Sequence, residues 1–224
     1  MLGPTIGDLL PAAVGVALSP LPIVAVILML ATPQGRTNGA AFAVGWVLGL
    51  VVVLVLVVAL AGGADSNGST RTGVDWLKLL LGVLLVGVAW KQWQSRPHDG
   101  ETPELPKWMA TLQDFDPLRS FAVGAALAAV NPKNLALAVA GGATIAQAGL
   151  SAGSDAVAIL VFVAIASVTI VAPVVAYLAL GEKAADTLDH LRAWMAANNA
   201  TIMTVVCVVL AAKLIGAGLG GLTD

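Results

Sequence analysis

Two short clusters of proline and polar residues stand inside otherwise apolar segments of the sequence. The first is Ser19-Pro20-Leu21-Pro22 and the second is Asn131-Pro132-Lys133-Asn134. Proline has no amide hydrogen and its ring clashes with the preceding helical turn, so a helix ends or kinks just before it. Serine and asparagine are favoured N-caps, and proline is favoured at the first helical position. Each cluster therefore predicts a helix that stops and a second helix that starts at once.

These clusters have the chemistry of an anion-binding site. A helix start leaves amide N–H groups unpaired and carries roughly half a positive charge. Lys133 adds an ammonium group at the same depth, and a lysine in mid-span costs about 2.5–3.5 kcal/mol on insertion scales, so such a residue is usually functional. Together these groups predict an electropositive pocket for a phosphate, sulfate or carboxylate. The predicted substrate-binding residues, including two hydroxyl residues of the fifth apolar segment, are Ser19, Pro20, Pro22, Asn131, Pro132, Lys133, Asn134, Ser167 and Thr169.

The same residues also have a purely structural interpretation. Proline often produces a simple kink in a membrane helix, and Asn131 and Asn134 could satisfy the carbonyls that such a bend frees. Lys133 could instead point into a wet vestibule, or snorkel toward the membrane surface. The recurrence of the two clusters 112 positions apart, half the chain length, favours the functional interpretation.

The apolar segments lack the side chains that several other chemistries need. No Asp, Glu or His lies in the middle of one, which argues against coupling through a buried carboxylate or histidine relay. The sequence has no grouping with metal-ligand spacing and no Walker-type phosphate loop. Both histidines, His98 and His190, fall in linkers, so a hydrolytic triad is not expected. We therefore expect no enzymatic activity, no metal and no cofactor.

The composition requires lipid as the solvent for most of the chain. Of 224 residues, 58% are hydrophobic and 11% are charged, and the mean hydropathy is +0.92, whereas about a quarter of the residues of a soluble domain are charged. The net charge of −2 gives no indication of a nucleic-acid partner, and the single cysteine, Cys207, excludes an intrachain disulfide. Runs of about 20 apolar residues cross a hydrocarbon core. Six spans are predicted, at roughly 6–31, 39–62, 74–94, 119–148, 155–181 and 199–220.

The arrangement of these spans predicts the fold class. Spans 1 and 4 each carry one proline cluster, and two more spans follow each of them. Because three spans is an odd number, the second half enters the membrane from the opposite side. The predicted fold is an all-α integral membrane protein with six transmembrane helices in two inverted three-helix repeats, with spans 1 and 4 broken at proline. The predicted units are a first repeat over 1–97, a cytoplasmic linker over 98–118 and a second repeat over 119–224.

Two linkers have apolar residues at helical spacing. They are 103–118, with Trp108, Leu112 and Phe115, and 182–197, with Leu188 and Leu191. We expect each to form a short amphipathic helix on the bilayer surface.

Basic residues are distributed unequally between the two sides of the predicted bundle. With the N-terminus outside, the inner linkers hold seven of them and the outer side holds three, Arg71, Lys78 and Lys213. Lysine and arginine are enriched on the cytoplasmic side of membrane proteins. This predicts a multi-pass membrane protein with both termini outside.

The sequence resembles the LysE superfamily of small six-span exporters at its two proline clusters. The matching elements are Pro20-Leu21-Pro22 in span 1 and Asn131-Pro132-Lys133 in span 4. Within that superfamily it is most similar to the sulfolipid-addressing and glycopeptidolipid-addressing proteins of actinobacterial envelopes. The supporting stretches are 17–30, 42–50, 89–94, 128–146 and 191–200. Amino-acid-exporting relatives usually have glycine between the two prolines, where this chain has Leu21.

The resemblance implies a transporter or flippase-like factor that moves or addresses an anionic envelope glycolipid, or its precursor, across the plasma membrane. Two alternatives stay open, a LysE-type exporter of small solutes and a membrane partner that supplies acyl groups to an envelope acyltransferase. The expected partners are membrane lipids, an anionic lipid or small anionic substrate, and enzymes of envelope-lipid biosynthesis. Small residues such as Gly45 and Gly49 permit close helix contact, within the chain or in a homo-oligomer.

Overall fold

The computed structural model describes residues 2–62, 68–96 and 114–223, and these residues are helical almost throughout. The described ranges contain no strand. In chain order the elements are α1 (Leu2–Ala17), α2 (Pro20–Leu30), α3 (Gly35–Gly62), α4 (Gly68–Gln94), α5 (Pro117–Ala129), α6 (Pro132–Gln147), α7 (Ala152–Leu180), a 3-10 turn (Gly181–Ala184) and α8 (Ala185–Thr223).

The helices are those of a membrane-embedded protein. Three stretches, Gly35–Ala61, Thr72–Gln94 and Ala152–Thr223, are long and apolar enough to cross a membrane. Two bent pairs, α1 with α2 and α5 with α6, also pass when each pair is taken together, which raises the number of candidate spans to as many as five. Large apolar side chains such as Val52, Leu80 and Val209 are exposed on the outside of the bundle. Lipid chains solvate such a surface at no cost, so membrane embedding explains it.

The core forms where the helices of the two halves of the chain pack together. The most extensive contacts run between α3 and α5 and between α4 and α8, and α1 packs against both α6 and α7. Phe42 and Trp46 fill the core beside α5 and are fully buried. Every one of these pairings joins an early helix to a late one, so neither half buries its apolar surface alone.

Glycines set the close approach of α3 to α5. A Cβ atom added at Gly45 would overlap the carbonyl oxygen of Phe121, and one added at Gly124 would overlap that of Phe42. At Gly49 the added atom would lie 2.9 Å from the Ala125 carbonyl oxygen. Small residues allow helix backbones to approach in this way. The Gly45 and Gly49 pattern therefore serves packing within the chain.

The two predicted surface helices have different outcomes. The prediction of a separate helix over 182–197 is wrong, because residues from Ala185 onward are the first turns of α8. Leu188 is buried, and Leu191 and Met195 pack against the core. The apolar stripe thus contacts other helices. Most of 103–118 lies outside the described residues, and the division of the chain at 98–118 stays a prediction.

Candidate functional site

Both predicted helix breaks are present. The chain bends by 52° between α1 and α2, and by 64° between α5 and α6. Ser19 and Asn131 occupy the N-cap positions in extended conformation, and Pro20 and Pro132 start the second helices. Each proline cluster therefore ends one helix and begins another, as its residue types predict.

The expectation of two bare amide ends is corrected, because α6 is capped by a side chain and α2, whose Ser19 makes no side-chain cap bond, begins with prolines. At α6 the side-chain oxygen of Asn131 accepts hydrogen bonds from the amides of Lys133 and Asn134, at 3.1 and 3.5 Å. At α2 two of the first three positions are prolines and have no N–H to offer. The Ile23 amide donates to the Ser19 carbonyl at 3.3 Å. The starts of α2 and α6 thus offer few free donors to an anion.

Lys133 joins the two broken helices. Its side chain is buried, with 1% of its surface exposed, although it carries an ammonium group. The Nζ atom donates to the carbonyl oxygen of Gly15 at 2.7 Å and to that of Leu18 at 3.1 Å. These carbonyls are free because α1 ends here, and a helix C-terminus carries roughly half a negative charge. Lys133 therefore caps α1 and neither snorkels nor points into an open vestibule.

The other carbonyls at the end of α1 are also paired with side chains. Thr169 of α7 donates its hydroxyl to the Ala17 carbonyl at 2.7 Å. The Ser19 hydroxyl lies 2.7 Å from the Val16 carbonyl and 2.8 Å from Oδ1 of Asn134, and its one hydrogen serves one of them at a time. We call this network of Ser19, Asn131, Lys133, Asn134 and Thr169 the break cluster.

Five of the nine predicted site residues form the break cluster, the three prolines lie beside it in the chain, and Ser167 is not part of its hydrogen-bond network. Pro20 and Pro22 are buried in the first turn of α2. Pro132 is exposed at the start of α6. Ser167 is buried on α7, but within the described part of the chain its hydroxyl has no hydrogen-bond partner. Thr169, two positions further along on α7, donates its hydroxyl to the end of α1.

A cavity of about 440 Å³ lies above the break cluster, at the end of the bundle where α1 begins and α8 ends. We call this end the terminal face. Leu137 and Leu210 line the cavity and also pack over Gly15, whose carbonyl binds Lys133. The polar and charged residues that line it are Thr5, Asp8, Lys78, Thr144, Gln147 and Lys213. The cavity thus runs from a polar mouth to an apolar floor that covers the break cluster.

A smaller cavity of about 200 Å³ lies at the opposite face, where α2 and α7 end and α8 begins. Its lining is mainly apolar, from residues such as Ile27, Leu30 and Leu188, with Asp189 and Arg192 at its edge. Neither cavity was predicted from the sequence. Lys78, Gln147, Arg192 and Lys213 lie outside the two proline clusters, so the search for broken helices could not reveal them.

The bundle and its break cluster define the class of protein: a polytopic membrane protein whose two broken helices meet around a buried lysine. The chain matches the family described as "SfLAP: Sap, sulfolipid-1-addressing protein" over residues 9–220. Because that match covers nearly the whole chain, the protein belongs to the sulfolipid-1-addressing family. The resemblance at family level is confirmed. No curated protein and no solved structure matches the chain.

Proposed function

We propose that this protein moves an anionic envelope lipid, or a precursor of one, across the plasma membrane. The family description supports a lipid-addressing role. The observation that carries the proposal is the position of Lys133, a buried ammonium whose hydrogen bonds in the described part of the chain go to two neutral carbonyl groups beneath the floor of a cavity. A sulfate or phosphate group that reached Lys133 would replace those carbonyls with full negative charge, and charge-assisted bonds are the stronger ones.

The packing supports an inverted repeat of six spans as the framework of this proposal. Exchange of the two halves relates α1–α2 to α5–α6, α3 to α7, and α4 to α8. If the halves are equivalent, packing of α1 against α7 requires packing of α5 against α3. Likewise, packing of α2 against α8 requires packing of α6 against α4. All four pairings occur. The 72-residue stretch from Ala152 contains α7 and α8, and counting each of them as a span gives six.

The proposed mechanism uses the break cluster as a latch between the halves. Lys133 and Thr169 belong to the second half and hold the end of α1 in the first half. When a headgroup passes Leu137 and Leu210 and binds Lys133, the α1 carbonyls lose their partner and the halves can move. Alternating access in inverted-repeat transporters is largely such a movement of one unit against the other. The acyl chains stay in lipid, and both termini lie outside.

Lipidomics of a deletion strain tests this proposal. We expect an acidic envelope lipid to disappear from the cell surface while its precursor accumulates inside, with recovery on complementation. Sensitivity of the strain to a small solute, with unchanged envelope lipids, would contradict the proposal in favour of solute export. Loss of a late acylation step, with no precursor stranded inside, would contradict it in favour of the acyl-delivery role.

A further inference from the structure

One short sequence motif occurs at the mouth of both cavities. The residues are Val74-Asp75-Trp76-Leu77-Lys78 on α4 and Leu188-Asp189-His190-Leu191-Arg192 on α8. Each motif has an apolar residue, an aspartate, a variable residue, a leucine and a basic residue. The two copies are 114 positions apart, nearly the spacing of Pro20 and Pro132. We call these two segments the mouth motifs.

The mouth motifs also have the same structure. Lys78 forms an ion pair with Asp75 at 3.0 Å, and Arg192 forms one with Asp189 at 2.7 Å, each between residues three positions apart. Lys78 lines the cavity at the terminal face, and Arg192 lines the cavity at the opposite face. The internal repeat therefore places one equivalent basic residue at each end of the bundle.

At the terminal face, donors outnumber acceptors around the cavity mouth. The ammonium of Lys78 donates to Asp75 and to the side-chain oxygen of Gln147 at 2.9 Å, which leaves the Gln147 amide N–H groups for a ligand. Lys213 lines the same cavity and donates to the Asp8 backbone carbonyl at 2.8 Å. The carboxylate of Asp8 is the countercharge in the lining. Two ammonium groups and an amide suit the three acceptor oxygens of a sulfate or phosphate ester.

We infer that the two cavities are the entry and exit sites of one pathway, and that each binds the sulfate or phosphate headgroup of an amphiphile through the basic residue of its mouth motif. This inference rests on the proposed function and adds the residues that receive the headgroup on each side. The apolar lining next to each basic residue, Leu210 and Leu214 at one face and Ile27 and Leu28 at the other, would contact the carbon atoms that adjoin the headgroup, while the acyl chains beyond them stay in lipid.

Photolabelling of the purified full chain in a neutral maltoside detergent tests the inference. The probe is a photoactivatable dodecyl phosphate, and labelled peptides are mapped by mass spectrometry. We expect labels around both cavities. Lys78→Gln and Lys213→Gln should each weaken labelling at the terminal face alone by roughly tenfold, and Arg192→Gln should do so at the opposite face alone, as expected for loss of one charge-assisted contact. Lys213→Gln is informative even if loss of the Asp75 partner unfolds Lys78→Gln, because Lys213 is exposed.

Arg119→Gln is the matched control. Arg119 also lies three positions after its partner, Asp116, at 3.9 Å, but it lines neither cavity. The inference would be overturned if Arg119→Gln reduced labelling as much as the cavity variants do, or if none of the three cavity variants reduced it. If a photoactivatable dodecyl maltoside, which is neutral, labelled the cavities equally, the inference that the headgroup is anionic would be overturned. If inorganic phosphate displaced the probe as effectively as unlabelled dodecyl phosphate does, the sites would bind free phosphate, and the inference that they bind the headgroup of an amphiphile would be overturned. This assay measures binding and needs no transport. If both cavities were labelled as expected but the deletion strain had normal envelope lipids, the proposed function would be refuted and the binding inference would stand.

Discussion

The ammonium of Lys133 lies 2.7 Å from the carbonyl oxygen of Gly15, although 118 residues separate them in the chain. The contact crosses from the start of α6 to the end of α1, and it joins the two halves of the bundle where both of their broken helices turn. A buried ammonium in lipid is tolerated only when it is paired. The ends of two broken helices therefore complete each other, because one supplies the free carbonyls and the other supplies the cation.

Asn131→Ala should destabilise the start of α6. The Asn131 side chain accepts from two backbone amides, and loss of such an N-cap costs about 1 kcal/mol. Asn131→Ser should retain most of the stability, because serine is an equally favoured cap. Thermal unfolding of the purified protein in detergent measures both. An equal loss of stability in the two variants would show that the cap is not what Asn131 contributes.

Thr169→Val should cost more stability than Ser167→Ala, although the two positions are neighbours on α7. Thr169 donates to the Ala17 carbonyl, whereas the buried Ser167 hydroxyl has no partner among the described residues. Hydrogen bonds between membrane helices contribute about 0.6 kcal/mol on average. Removal of the Ser167 hydroxyl should be neutral or stabilising, because it leaves no partner unpaired. Unfolding in detergent with increasing SDS measures the stability of both variants. A larger loss in Ser167→Ala than in Thr169→Val would contradict the hydrogen bonding assigned to these two α7 hydroxyls.

Gly45→Ala should disrupt the packing of α3 against α5. The added methyl group would overlap the Phe121 carbonyl oxygen, which belongs to backbone and cannot rotate away. Gly87→Ala is the control, since nothing lies within 4 Å of its added Cβ. Because alanine has the higher helix propensity, by about 1 kcal/mol, Gly87→Ala should be neutral or stabilising. Chromatographic monodispersity and melting temperature report the difference, and equal behaviour of the two variants would contradict the close approach.

The apolar, membrane-embedded helices and the two breaks could be predicted from the sequence because they depend on local chemistry, whereas the number of six spans stays a prediction. Apolar run length sets a span, and Ser19-Pro20 and Asn131-Pro132 carry cap and start in adjacent residues. Lys133 could be identified as unusual for the same reason. Its partners could not be predicted, because the Gly15 and Leu18 carbonyls are backbone groups without a sequence signature. The stripe at Leu188 and Leu191 was misassigned because the same helical spacing fits a lipid surface and a neighbouring helix equally well. The repeat of the mouth motifs was present in the sequence, but its meaning depends on the cavities beside it.

The most direct test of the central claim measures transport with and without the Lys133 charge. Wild type, Lys133→Met and Lys91→Met are reconstituted into phosphatidylcholine vesicles that contain a fluorescent sulfated glycolipid, and the lipid reaching the opposite leaflet is measured by chemical quenching. Lys91 is exposed near the end of α4, outside both cavities, so Lys91→Met controls for loss of a lysine. We predict transport by wild type and Lys91→Met, and loss of transport in a folded Lys133→Met. A folded Lys133→Met that moves the lipid as fast as wild type would contradict the claim that this ammonium receives the headgroup.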